Sequence, residues 1–144
     1  FKSEGETLAG LAGYWRRGSQ LMDAAAKSKG IEYFHFLQPN QYVAGSKPLS
    51  PEEKKKAYDP ESEWKRLVEL GYPLLTAEIP RLRASGVRFH DLTQLFKDEK
   101  QALYNDSCCH FNLIGNALLA KAIAKPLVEV FEHKAALGEP AGEE

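Results

Sequence analysis

Apolar residues recur at helical spacing at Leu8, Leu11, Ala12, Trp15, Met22, Ala25 and Ala26, and Gly30 stands where such a helix would stop. The pattern then changes. Ile31-Glu32-Tyr33-Phe34-His35-Phe36-Leu37 is short, nearly continuous in apolar and aromatic residues, and closed by Pro39. It predicts a strand buried on both faces, as in a parallel sheet. A polar loop follows over residues 42–50. Ser50-Pro51-Glu52-Glu53 has the form of a capping box with proline at the first helical position, and Asp59-Pro60-Glu61 is expected to open a further helix in the same way. Trp64, Leu67 and Val68 make an apolar stripe, with Leu70 at its edge, that Gly71 is placed to end. Leu75, Ile79 and Leu82 make a second stripe, and Pro73 and Pro80 should break or kink this region. Past Gly86, the alternation of Val87-Arg88-Phe89-His90-Asp91-Leu92 predicts a second, shorter strand. Residues 97–109 read as a loop. Asn112 then caps a last helix carrying Ile114, Leu118, Ile123, Leu127 and Phe131, with a bend at Pro126. From Gly138 onward the chain is rich in Gly, Pro and Glu, and a mobile tail is expected over residues 138–144.

Strands separated by long helical stretches imply crossover connections and a parallel sheet covered by helices, an α/β fold. Two strands make a poor sheet, and a strand as apolar as residues 31–37 should have neighbours on both edges. Residues 1–137 are therefore expected to form part of a larger folding unit. The chain opens on Phe1 rather than Met, which fits the same expectation.

Composition narrows the function classes. The 19 basic and 20 acidic side chains are spread without a strong block, giving a formal charge of −1. Nucleic acid is not expected as a partner, because binding its backbone requires a concentrated basic face. No apolar run approaches the roughly 20 residues of a membrane span, and none reads as a signal peptide. Cys108 and Cys109 are adjacent. Bridging neighbours requires a strained geometry, so the expectation is two unbridged thiols packed under a loop, and the compartment stays open.

Functional groups on an open parallel sheet gather beyond the carboxyl ends of the strands. Gln38-Pro39-Asn40-Gln41-Tyr42 directly follows the first strand and puts polar side chains on a proline-stiffened turn, with Gln38, Asn40 and Tyr42 as candidate substrate contacts. The second stretch is the loop holding Asp106 and His110. There the histidine is a candidate general base, and the aspartate its orienting partner. His110 as a plain helix cap is the alternative. His35 reads as a hydrogen-bonded core residue, His90 as pointing off the apolar face of its strand, and His133 as solvated. Cys108, Cys109 and His110 are too close in sequence to fill a tetrahedral shell, so no metal or other cofactor is expected. A cysteine nucleophile paired with His110 is a further alternative.

The run Tyr104-Asn105-Asp106-Ser107-Cys108-Cys109-His110-Phe111-Asn112, followed by Gly115-Asn116, resembles the last motif block of the SGNH (GDSL-type) hydrolases, where an Asp and a His precede a glycine-containing helix start. His35-Phe36-Leu37-Gln38-Pro39-Asn40-Gln41-Tyr42 and Phe89-His90-Asp91-Leu92-Thr93 are similar to the later strand ends of that fold. The resemblance runs from Trp15 to Ile123 and corresponds to the C-terminal half of the family domain. It implies part of a flavodoxin-like three-layer fold and a small ester as substrate. It also implies His110 as base and Asp106 as its partner. The nucleophilic serine and oxyanion donors would lie on a missing or separate segment, and the expected partner is that N-terminal fragment or a second copy of the chain. A secreted or periplasmic setting is compatible with such an enzyme. The family places its acid three residues before the histidine; here Ser107 holds that position and Asp106 stands one residue further away. A binding module that kept this half-fold, with a carbohydrate held at residues 38–42, is the non-catalytic alternative.

Overall fold

The computed structural model describes residues 3–138. Its elements run α1 (Glu4–Lys27), β1 (Phe34–Leu37), α2 (Pro51–Ala57), α3 (Glu63–Ala84), β2 (Arg88–Asp91) and α4 (Leu113–Ala136). The two strands pair in parallel, and helices separate them in sequence, so the chain mixes helix and parallel strand in an α/β arrangement.

Register decides which side chains share a face. Phe34 lies beside Arg88, His35 beside Phe89, Phe36 beside His90 and Leu37 beside Asp91. On one face, Leu37 and Phe89 join Ile79, Leu82 and Val87 in a core that Trp15, Tyr33, Tyr72 and Leu75 close over. Trp15 packs edge-on against both His35 and Phe89 there. The opposite face carries Phe34, Phe36 and His90, stacked on one another. A second core of Ala57, Phe96, Leu103 and Tyr104, backed by Leu49, Leu95, Phe111 and Leu118, supports the loops beyond the strand ends.

Several expectations change at this level. The strand begins at Phe34 rather than Ile31, and of its residues only Leu37 is buried, while Phe34 and Phe36 are half-buried. Burial on both faces needs cover that these residues do not have. Asp59 does not cap a helix. Its carboxylate accepts from the Glu61 amide in a tight turn, and α3 starts later, with Ser62 accepting from the Trp64 amide. Gly71, Pro73 and Pro80 all lie inside α3, which is continuous over 22 residues. The two prolines are seven positions apart, two turns, and both are exposed. Each proline removes one helical hydrogen bond on the outer side of α3, where water can reach the carbonyl left without a partner. Meanwhile Ile79 and Leu82 hold the inner face in the core. Helix α4 likewise runs through Pro126. The tail lies outside the described residues beyond Gly138.

The capping box at α2 is only half formed. Ser50 accepts from the Glu53 amide as expected. The Glu53 side chain, however, turns away from Ser50 to meet Lys47 at 2.8 Å, both side chains being fully buried. Its other oxygen accepts from the Leu103 and Tyr104 amides at 2.7 and 2.9 Å. The Lys47 ammonium also donates to the Pro48 and Glu99 carbonyls. A buried charge survives only when its hydrogen-bonding capacity is filled, and this pair fills it by tying the 47–53 segment to the 99–104 segment.

Candidate active site

Residues 105–110 form a clasped loop. Tyr104 and Phe111 make an antiparallel bridge, the Asn105 amide donates to the His110 carbonyl at 2.8 Å, and the Asn112 amide donates to the Leu103 carbonyl at 2.7 Å. Asn112 then caps α4 by accepting from the Gly115 amide at 2.9 Å. Gly115 is where the helix meets its support. A Cβ there would lie 2.9 Å from the Phe111 Cβ and 3.2 Å from the Leu103 carbonyl oxygen.

Inside the loop, one carboxylate organises the backbone. Asp106 Oδ1 accepts from the Cys108, Cys109 and His110 amides at 2.9, 3.1 and 3.3 Å. Its Oδ2 lies 2.5 Å from His110 Nδ1. Desolvation pushes the Asp106 carboxyl upward, but the imidazole and the three amides outweigh it and hold the group at about 2. At neutral pH Asp106 is therefore an acceptor only, and Nδ1 must carry the proton. That leaves Nε2 of the neutral ring with a free lone pair. The His110 side chain is 72% exposed, and no described residue hydrogen-bonds Nε2. The extra residue between acid and histidine is absorbed by the turn around Oδ1, so the four-residue spacing still closes the contact.

The turn after β1 holds the same loop from its other side. Gln41 donates to the Asp106 carbonyl at 3.0 Å and to the Ala57 carbonyl at 3.1 Å. The Tyr42 hydroxyl donates to the Ser107 carbonyl at 2.7 Å and accepts from the Asp59 amide. Asn40 makes a long contact of 3.5 Å to the Cys108 carbonyl, and its Oδ1 accepts from the Tyr42 amide. Asn40 and Tyr42 are each only 4% exposed. Their polar atoms are occupied by the chain's own backbone, so what they do in this structure is position the Asp106–His110 loop. Gln38 is exposed, and its carbonyl accepts from Tyr72. Gln41 belongs to this set too. The signal for it was present, since a glutamine among the polar residues directly after a buried strand must find partners for its amide.

The remaining histidines separate by environment. His35 Nδ1 lies 2.6 Å from the Ser19 hydroxyl, and burial lowers its pKa. His90 stacks on Phe36, its pKa lowered first by desolvation and then by Arg83. His133 is exposed. The two thiols are free, and no group of three or more His, Cys, Asp or Glu among the described residues is placed to hold a metal ion.

Seven of the eight serine hydroxyls are engaged elsewhere: Ser3, Ser50 and Ser62 cap helices, Ser19 faces His35, and Ser28, Ser46 and Ser85 donate to backbone carbonyls. Ser107 lies in the loop between Asp106 and His110, where its backbone carbonyl accepts from Tyr42. A groove of about 800 Å³ runs between the 41–49 loop, α2 and α3, past Tyr42, Tyr58, Tyr72 and Gln94, but neither His110 nor Asp106 lines it. No family model, curated protein or solved structure matches the chain.

Proposed function

We propose that this chain is the C-terminal part of an SGNH-type serine esterase. It supplies His110 as general base and Asp106 as its partner, while the nucleophilic serine and the oxyanion donors belong to another segment. The observation that carries this reading is the Asp106–His110 contact, with Nδ1 held by the carboxylate and Nε2 exposed and unpartnered. Nothing in a merely structural helix cap requires that arrangement. Here the cap is Asn112.

In such a reaction Nε2 removes the proton of the serine hydroxyl as its oxygen bonds to the acyl carbon, and then returns that proton to the departing alkoxide. Asp106 stays ionised throughout and stabilises the imidazolium. A water, activated in the same way, frees the acid product and the enzyme. Seven of the described serines have their hydroxyls occupied, and Ser107 sits in the turn between Asp106 and His110 rather than on a strand-to-helix nucleophile turn, so this reading takes the nucleophile from outside the set.

The same reading makes the fold part of a flavodoxin-like three-layer domain. Both strands have one unpaired edge, and Leu113, Ile114, Val128 and Phe131 of α4 stand exposed. The N-terminal portion of the domain is the cover we assign to these surfaces, and a second copy of the chain is the alternative cover. No helix among the described residues is long and apolar enough to cross a membrane. A binding module using residues 38–42 has less support, since Asn40 and Tyr42 turn inward.

The test is a denaturing intact-mass spectrum of the natural protein combined with a serine-reactive fluorophosphonate probe. The expected result is probe labelling of a polypeptide, or of a longer form of this chain, with labelling abolished by His110→Ala. Asp106→Asn should lower turnover less than His110→Ala does. A single unlabelled species of 16.1 kDa would remove ester hydrolysis from consideration. Near-unchanged labelling in both variants would remove His110 from the mechanism.

A further inference from the structure

Side chains of adjacent residues point apart in extended chain, yet Cys108 Sγ and Cys109 Sγ lie 3.5 Å from each other. The turn that Asp106 imposes on the backbone brings them together, because the amides of both cysteines converge on Oδ1. Both residues are partly exposed, so a small reagent can reach them. The pair also sits between the acid and the histidine of the proposed dyad. The peptide linking the two cysteines is the one that carries the Cys109 N–H, and hence one of the bonds that hold the loop.

We propose that Cys108 and Cys109 form a vicinal dithiol site, which a low-molecular-weight disulfide of the glutathione class oxidises reversibly to a Cys108–Cys109 disulfide, loosening the hold of Asp106 on the loop amides. One thiolate attacks a sulfur of the oxidant, forms a mixed disulfide and expels a thiolate. The second cysteine, deprotonated, then attacks the protein sulfur of that mixed disulfide and expels the other thiolate. The protein loses two electrons and two protons, and the oxidant is reduced to two thiols. Sulfur–sulfur separation must fall from 3.5 Å to about 2.05 Å. Adjacent Cα atoms sit about 3.8 Å apart, below the usual span of a disulfide, so the link closes only by twisting the intervening peptide. Such a strained link is easily reduced, which is what makes the change reversible.

Asp106, Tyr72 and Tyr104 act on Cys109, and none of them is a cation; His110, the next titratable residue in the chain, is held by Asp106. Burial first, then Cys108 and Asp106, push the Cys109 thiol up to about 11, and Cys109 is in turn among the groups raising both tyrosines. The Cys109 thiol is therefore protonated at neutral pH, and its step in the oxidation accelerates as pH rises.

The proposal does not require the hydrolase reading, and its readouts are independent of activity. The reduced protein is treated with oxidised glutathione at mildly alkaline pH and followed by intact mass, alkylation and amide exchange. We expect a species lighter by about 2 Da, the two hydrogens of the two-electron couple. It should be closed to alkylation and restored by dithiothreitol. Exchange at the Cys108, Cys109 and His110 amides should rise roughly tenfold, the loss of about one hydrogen bond's worth of protection. Cys108→Ser should stop at the glutathione adduct on Cys109. A lasting adduct on the unsubstituted chain, a covalent dimer, no reaction, or closure that leaves amide exchange unchanged would each overturn the proposal.

Discussion

Asp106 carries more of the site than any other single residue, because one carboxylate serves both the backbone and the histidine. Its oxygens are divided between three amides and the imidazole. The consequence for acid behaviour has a definite sign. A carboxyl held at about 2 in the folded chain and near its ordinary value of about 3.9 when unfolded stabilises the loop fully above the latter. That contribution is lost as pH falls from about 4 through about 2. Amide exchange at residues 108–110 should accordingly rise in that window ahead of global unfolding, and Asp106→Asn should abolish the step. If exchange there stays flat down to the lower limit, the carboxylate is not what orders the loop. The group is well exposed, so the effect belongs to the loop and not to the stability of the whole chain.

Among the elements, α4 and α2 are positioned by contacts that a reading of helix propensity would miss. Replacing a glycine inside a helix by alanine ordinarily stabilises by about 0.5–1 kcal/mol. Gly71→Ala should do so, since open space surrounds that position in α3. Gly115→Ala should have the opposite sign. Its Cβ would press on Phe111 and on the Leu103 carbonyl, neither a flexible chain end, and overpacking of this kind costs about 1–3 kcal/mol. Urea midpoints of the two variants moving in the same direction would contradict the close approach of α4 to residue 103. For α2, Glu53→Gln keeps an acceptor for the Leu103 and Tyr104 amides but leaves the Lys47 ammonium buried without a counter-charge. The expected loss is about 3–5 kcal/mol. Adding Lys47→Met should return part of it, and a second substitution that only deepens the loss would mean the ion pair is not the unit that matters.

At the scale of the whole molecule, the structure is well packed on one side and open on the other. Helices α1 and α3 cover one face of the sheet through Trp15, Ile79 and Leu82. The other face looks toward α4 across a cavity of about 300 Å³ between Phe34, His90, Pro126 and Val130. Glu32 ties the start of β1 to α4 through Lys134 and to β2 through Arg88, and this is the polar edge of that gap. Unpaired strand edges and exposed Leu113, Ile114, Val128 and Phe131 favour association. Light scattering on the isolated chain should therefore give a mass above 16.1 kDa through self-association. A monomer that melts cooperatively would argue that residues 3–138 form a complete unit and would weaken the proposed division of the active site.

Local chemistry was enough to read much of this from the sequence. The helical stripes of α1 and α3, proline at the start of α2, the Asn112 cap, two short strands and the candidate pairing of Asp106 with His110 all depend on neighbours within a few positions, where periodicity and capping operate. What the sequence could not show was decided by partners tens of residues away. Pro73 and Pro80 stay inside a helix because that helix packs on α1 and turns both prolines to solvent. Glu53 leaves its capping box because two amides some 50 residues on offer a better set of donors. Asn40, Gln41 and Tyr42, legible only as a polar turn, become the support of the dyad because the fold lays that turn against the carbonyls of residues 106–108. Capping and periodicity are short-range effects, whereas filling a buried hydrogen-bond valence depends on whatever the folded chain brings within about 3 Å, which no local pattern encodes.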